Sequence, residues 1–371
     1  MELDLDLLKR LCETPGIPGH EERVAAVARE ALEPFADEIH VDALGNVIAW
    51  RRGQGGPRVM LAAHLDEIGF LVKHIDDRGF LRLQPVGGFD ARVLPAQRVR
   101  VWTRDGRGLP GALQLATKPI HLLAAEELKA PKLDELYVDV GLPADKVRAS
   151  IEVGDMVTFD RPLEVTGPRV LSKALDDRIG VFVMIEALRA VGSHQAEVVA
   201  VATTQEEVGL RGAQTSAFGV DPDIAIAIDI TIAGDVPGIE LHEQVTRLGE
   251  GVAIKMFDTS HIPNSRLVRH LREIAEQHGI RYQLEVLPRG GTDAGAMQRV
   301  RAGVPAVTIS IPTRHAHTVN EMADLADVEA AVQLIARYLE TAHTGSYRLH
   351  EAERTLERRT GATFNRRADT Q

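Results

Sequence analysis

The sequence predicts an α/β protein with a mixed, largely parallel sheet flanked by helices and a small β-rich module spliced into it. Three observations predict this. Apolar runs such as residues 58–63 and 198–202 alternate with helix-patterned stretches, as they do in a sheet covered on both faces. Several of these runs end abruptly in polar residues, and the carboxyl ends of strands are where open α/β sheets bind ligands. Between about Ile68 and Val165 the texture changes to short strands separated by turn signals, as in a separately folded β-rich unit.

Taken in order, residues 3–12 form a short amphipathic helix stopped by Pro15–Gly16. A second helix starts near residues 19–22 and runs to about 35, with Val24, Val27, Ala28 and Leu32 on one face. Residues 39–42 turn at Gly45–Asn46 into residues 47–50 as a hairpin. The buried run 58–63 then ends in His64–Leu65–Asp66–Glu67. Inside the β-rich module only residues 122–127 read as briefly helical. Alternation resumes near Leu171, with a helix over 178–191 and a strand over 197–202 that ends in Thr203–Thr204–Gln205–Glu206–Glu207. A short helix (213–218) precedes a strand (223–228) that delivers Asp229. Strand 252–257, helix 265–278 and strand 281–286 come next. Gly290–Gly291–Thr292–Asp293 opens a further helix, followed by strand 306–311 and a long amphipathic helix over 327–343. The expected organisation is one domain from residues 1–67 and 166–345, an insert from 68–165, and a partly helical tail, 346–371, with no assigned function.

Composition narrows the partners. The chain has 371 residues, 44% hydrophobic and 26% charged, with a formal net charge of −11; that acidity argues against a general nucleic-acid or anionic-membrane partner. The single Cys12 excludes an intrachain disulfide framework. No uncharged apolar stretch approaches the roughly 18–20 residues that a membrane helix needs, and no leader is visible in the first residues. A soluble cytoplasmic protein is expected.

Chemistry collects at the strand ends: His64 with Asp66, Glu206 with Glu207, Asp229, and His317 within Arg314–His315–Ala316–His317. Asp176–Asp177 falls at a strand-to-helix junction. Singly, each could be a helix cap or a turn residue. Together, imidazoles and carboxylates without a thiolate suit a catalytic site for borderline cations such as Zn²⁺, Co²⁺ or Mn²⁺. Two such cations at one site need a shared carboxylate and would depress the pKa of a shared water. Adjacent glutamates at a strand exit diverge, so one can bind metal while the other moves protons.

Six stretches carry a family resemblance: Ala63–His64–Leu65–Asp66–Glu67–Ile68–Gly69, Lys173–Ala174–Leu175–Asp176–Asp177–Arg178, Thr204 to Gly212, Ala227–Ile228–Asp229, Gly290 to Ala294, and Pro312 to Thr318. In this order they resemble the tetrahedral, glutamyl-aminopeptidase-like dinuclear metallopeptidases, over about residues 7–338. Lys118–Pro119–Ile120–His121–Leu122 and Leu133 to Gly141 in the insert are similar to that family as well. The resemblance implies a zinc-peptidase-like catalytic fold, with 68–165 as a dimerisation domain whose dimers build a hollow tetrahedral dodecamer. It implies two divalent cations per subunit, zinc first, with cobalt or manganese as alternatives. His64 and Asp229 would hold one cation, Glu207 and His317 the other, and Asp176 would bridge them. Glu206 would be the general base and acid, and Asp66 would orient the His64 imidazole. A cis peptide is implied at Asp176–Asp177, and His315 stands where relatives commonly carry an aromatic residue. The implied reaction removes N-terminal residues from short peptides with a free amino terminus, through a hydroxide shared by the cations.

Two rival hydrolases share parts of this pattern. Paired carboxylates also serve glycosidases of the endoglucanase kind, but those leave His64, Asp229 and His317 without roles. A deacylase acting on N-acyl amino acids would use the same residues on a blocked amine. The substrate-binding residues, and the preferred first residue with them, are not legible in the sequence.

Overall fold

A computed structural model describes residues 2–124 and 129–347. Helix α1 (Leu5–Glu13) is capped by Asp4, whose carboxylate accepts the Leu7 N–H at 3.0 Å, and it buries Leu7, Leu8, Leu11 and Cys12. Helix α2 (Glu22–Leu32) passes into a 3₁₀ turn at Pro34, so the regular helix is shorter than predicted. Strands β1 (Glu38–Val41) and β2 (Val47–Arg51) form the expected hairpin, followed by β3 (Arg58–His64).

The next stretch builds a separate barrel. Its strands are β4 (Gly69–Ile75), β5 (Leu81–Val86), β6 (Arg98–Trp102), β7 (Gly108–Leu115), β8 (Leu136–Asp139) and, after helix α3 (Ala144–Ser150), β9 (Met156–Phe159). Among the described residues they close in the order β4-β5-β8-β7-β6-β9, a closure that leaves no open edge. Phe70, Leu81, Val99, Val101, Leu113, Val138 and Phe159 fill it. Helix α3 was not predicted; it buries only Val147, too little apolar periodicity for a sequence signal. Of the predicted helix over 122–127, Leu122 ends a 3₁₀ turn, and residues 125–128 lie outside the described residues, as does the tail from 348 onward.

The chain then returns through β10 (Glu164–Thr166), β11 (Arg169–Ser172), α4 (Leu175–Ala190), β12 (Glu197–Thr203), α5 (Arg211–Val220) and β13 (Ile224–Ile232). It finishes with β14 (Val252–Phe257), α6 (Ser265–His278), β15 (Tyr282–Val286), α7 (Asp293–Met297), β16 (Ala306–Arg314), β17 (Glu321–Asp324) and α8 (Leu325–Thr341). The large sheet runs β1-β2-β12-β3-β13-β16-β17-β11-β10, with β14 and β15 branching from β16. It is mixed: β12, β3, β13 and β16 are parallel at its centre, and antiparallel strands lie outside them.

Burial on both faces explains the unbroken apolar runs, and the two-residue period of a strand sorts them. Val59, Leu61 and Ala63 of β3 join the core under α1, α2, α4 and α8, whereas Met60 and Ala62 join the core under α5 and α7. Ala225 and Ala227 of β13 share that second face. Continuing the alternation sends His64 and Asp229 to the same face. The β13–β3 register pairs Ala227 with Ala62, which brings Asp229 level with His64. Among the described residues, no helix is long and apolar enough to cross a membrane.

Candidate active site

The sheet gathers the predicted residues. His64 ends β3, and Thr203 beside it ends β12; Glu206 and Glu207 come directly after. Asp229 lies within β13 rather than after it, because that strand continues alongside β16. Asp176 and Asp177 open α4 with non-helical backbone angles and a cis peptide between them. His317 sits on the loop between β16 and β17, with a left-handed φ of 58°.

Asp176 lies at the centre. Its Oδ1 is 3.1 Å from His64 Nε2 and its Oδ2 is 3.3 Å from His317 Nε2, so each carboxylate oxygen faces one imidazole. His317 Nε2 also lies 3.6 Å from Glu207 Oε1, and His64 Nε2 3.9 Å from Glu206 Oε2. Both rings are oriented the same way. His64 Nδ1 donates to the Asp66 carbonyl at 2.9 Å, and His317 Nδ1 donates to the Gly88 carbonyl at 2.9 Å. A carbonyl only accepts, so Nδ1 carries hydrogen in both rings and Nε2 is left as the inward-facing donor atom. His315, by contrast, is exposed.

The Asp66 carboxylate lies beside the His64 ring and also reaches the glutamates. Its Oδ1 and Oδ2 accept the main-chain N–H groups of Glu206 and Glu207, each at 3.0 Å, while Oδ1 is 3.6 Å from His64 Nδ1. Asp66 holds the glutamate backbone, while its carbonyl accepts from the imidazole that its carboxylate also faces. Asp177 clusters with His64 and Asp229, but its oxygens already accept the N–H groups of His64 and Gly180, each at 3.1 Å. A Cβ on Gly180 would fall 2.3 Å from that carboxylate, so the helix can start this way only with glycine there.

Electrostatics set the site apart from a surface acid cluster. Burial raises the pKa of Glu206, helped by Asp229, Asp293 and Glu207 and opposed by His64. Glu207 is pushed up to about 7 by burial and by Asp176. Asp229 is raised well above the usual range by burial and by Asp176. Asp176 goes the other way: burial opposes its ionisation, but the two imidazoles outweigh burial and lower its pKa. His317 is raised to about 11, since Asp176 and Glu207 overcome its burial. Buried carboxylates in excess of the cationic groups facing them are costly.

The pocket fits divalent cations. Donor atoms of His64, Asp177 and Asp229 lie within 4.8 Å of one another, as do those of His64, Asp176 and Glu207. The donors are imidazole nitrogens and carboxylate oxygens with carbonyl-anchored rings, the usual outer support of a metal-bound histidine.

Sequence reasoning missed three contributors. Glu321, 2% exposed, accepts the Asp176 N–H at 3.0 Å and the His317 N–H at 2.9 Å; its signal was an acid four residues beyond a candidate histidine. Gly88 contributes only a carbonyl, which leaves no side-chain signature. Asp293, visible in the sequence only as part of a glycine-rich stretch, accepts the Thr203 hydroxyl at 2.5 Å, and burial raises its pKa to about 6.

Comparison with known proteins agrees with this geometry. Residues 45–334 match the family described as M42 glutamyl aminopeptidase. The lysyl aminopeptidase of Pyrococcus furiosus is 37% identical over 347 residues, covering 91% of this chain and 97% of that protein. An aminopeptidase structure from Desulfurococcus kamchatkensis superposes with a TM-score of 0.87 at 44% identity, covering 90% and 94% of the two chains. The Pyrococcus horikoshii TET1 peptidase, which can assemble into a tetrahedron or a large octahedral shell, superposes with a TM-score of 0.79 at 33% identity, covering 90% and 98%.

Proposed function

This chain belongs to the M42 glutamyl aminopeptidase family, and from that premise we propose that it removes N-terminal residues from short peptides with a free amino terminus, using two divalent cations. The observation that carries the two-cation reading is Asp176, with one imidazole on each carboxylate oxygen. His64 and Asp229 would hold one cation, Glu207 and His317 the other, and Asp176 would serve both. Bound there, zinc, or cobalt or manganese in its place, would polarise the scissile carbonyl and make a water acidic near neutral pH.

The chain's own residues supply the rest. Glu206 Oε2 stands 3.9 Å from His64 Nε2 and its side chain is 11% exposed, close to the cluster yet not sealed from a reactant. In this role it takes the proton of the attacking water and returns it to the leaving amine. Its raised pKa, caused first by burial, moves it toward the range where a carboxylate can do both. Asp66 holds the Glu206 and Glu207 backbone in place, so base and ligand keep a fixed separation.

A carboxylate-only glycosidase would leave the two carbonyl-anchored imidazoles without use, and the family model that matches is that of an aminopeptidase. For assembly, we assign residues 68–165 as the dimerisation domain on the remainder of the chain, and a tetrahedral dodecamer built from such dimers, as the TET1 peptidase makes a tetrahedron.

The test is a panel of aminoacyl-p-nitroanilides and peptides, free and N-acetylated, with added Zn²⁺, Co²⁺ or Mn²⁺ and after chelation. Metal-dependent cleavage of free-amine substrates alone is expected. Preference for acetylated substrates would replace the reading with a deacylase, and chelator-resistant turnover would remove the cations from it. Light scattering that finds only 40.5-kDa monomers would overturn the assembly.

A further inference from the structure

Glu321 plays no part in the reaction just described, yet it touches residues assigned to both cations. Its Oε2 accepts the Asp176 N–H at 3.0 Å and its Oε1 the His317 N–H at 2.9 Å. We propose that Glu321 is a positioning residue that holds the His317 loop against Asp176 and thereby sets how tightly the Glu207–His317 side binds its cation; this rests on the two-cation reading.

Its placement comes from the sheet. β17 begins at Glu321 and pairs antiparallel with β11, opposite Ser172. Ser172 lies four positions before Asp176, and Glu321 four positions after His317, so one pairing step brings both segments to a single carboxylate. Glu321 is 2% exposed, and each of its oxygens accepts a main-chain N–H at good distance. A buried carboxylate placed this way acts as a clamp, with its oxygens engaged by backbone, and not as a further cation ligand.

The dependence on Glu321 is unequal. Asp176 lies in the first turn of α4, next to Asp177, whose carboxylate is anchored on the His64 and Gly180 N–H groups. His317 has weaker support. Its side chain is 40% exposed, and both it and His315 hold left-handed backbone angles, with φ of 58° and 59°. Such angles are unfavourable for residues other than glycine and persist where surrounding contacts impose them. For His317 those contacts include Glu321 on the main-chain N–H, Gly88 on ring Nδ1 and Asp176 on ring Nε2, and of these only Glu321 holds the backbone. Loss of Glu321 should therefore show on the His317 side first.

Two variants separate reach from charge. Glu321→Gln keeps the length but must turn an NH₂ group toward one of the two N–H donors. Glu321→Asp keeps the charge but is one methylene too short to span both. Full-length protein stripped of metal is titrated with Zn²⁺ by calorimetry, and its melting temperature is measured without metal. Wild type is expected to take two equivalents. In both variants one equivalent should keep its affinity, the other should weaken about 10–100-fold, and the metal-free melting temperature should stay near wild type. The proposal is overturned if Glu321→Gln binds both equivalents like wild type, or if Glu321→Asp restores them, because charge alone would then suffice. It is also overturned if both equivalents fall together with the melting temperature, which is the signature of a general folding role. Fewer than two equivalents in wild type would instead sink the two-cation reading. A crystal structure of metal-free Glu321→Gln then decides the clamp by itself: His317 Nε2 beyond hydrogen-bond reach of Asp176 upholds it, and an unmoved ring overturns it.

Discussion

The two imidazoles of the site are chemically alike and structurally opposite. His64 ends a central strand, paired on one side with β12 through Thr203 and flanked on the other by β13; its side chain is 3% exposed. Its ring hydrogen bond goes to the carbonyl of Asp66, two residues along the same segment. His317 rides a loop and is 40% exposed, and its ring is held by Gly88 in the loop after strand β5 of the barrel. Val319 of the same loop packs into the barrel core. One half of the site is thus set by the sheet itself, and the other is borrowed from a second folding unit. Identical ligand chemistry can be pre-organised by local strand geometry or by contacts across the chain, and the two should fail differently.

The largest effect should ignore the contrast. Glu206→Gln is expected to keep both cations and lose turnover by about 10²–10⁴-fold or more; initial rates with elemental analysis check it, and retained turnover would remove Glu206 from the mechanism. Asp176→Asn should come next, weakening cation binding on both sides because both imidazoles face that carboxylate. Unchanged metal content in the purified variant would rule out its bridging role.

Replacing each imidazole exposes the contrast directly. His64→Ala leaves the buried Asp66 carbonyl without its donor, at a cost of about 1–3 kcal/mol, so it should lower the melting temperature of the metal-free protein. His317→Ala, at a half-exposed loop position, should lose a cation with a smaller fall in the metal-free melting temperature than His64→Ala. Equal destabilisation in thermal melts would erase the difference between the two rings.

A smaller change tests the borrowed half alone. A Cβ on Gly88 would stand 3.3 Å from His317 Nδ1, so Gly88→Ala should weaken cation affinity on that side by about tenfold and leave the other equivalent unchanged in a calorimetric titration. The smallest effect is expected at Cys12. Burial pushes this thiol up to about 12, so labelling by a maleimide should wait for global unfolding; rapid labelling of the native protein would contradict the packing of α1.

Much of the site was legible before folding. Buried strands announce themselves as apolar runs, and the polar residues at the end of each run are its immediate neighbours in the chain, so His64, Asp66, Glu206 and Glu207 stood out. The family motifs pointed to His317, and the structure puts His317, not His315, beside Asp176 and Glu207. Helix α3 was missed because a single buried valine carries no period. The span of β13 past Asp229 was missed because a strand's length is decided by its neighbour, here β16.

Residues close together in the chain suffice to set the alternation of strands and helices, the composition of each strand exit and the donor types a cation would meet, so all of these could be read without coordinates. Folding alone settles how close Asp176 comes to each imidazole, that Asp66 also steadies the glutamates, and that Glu321, 145 positions from Asp176, joins it to His317. Those contacts are made by pairing register and by main-chain groups, which every residue carries alike, so the sequence can mark the residues but not the contacts between them.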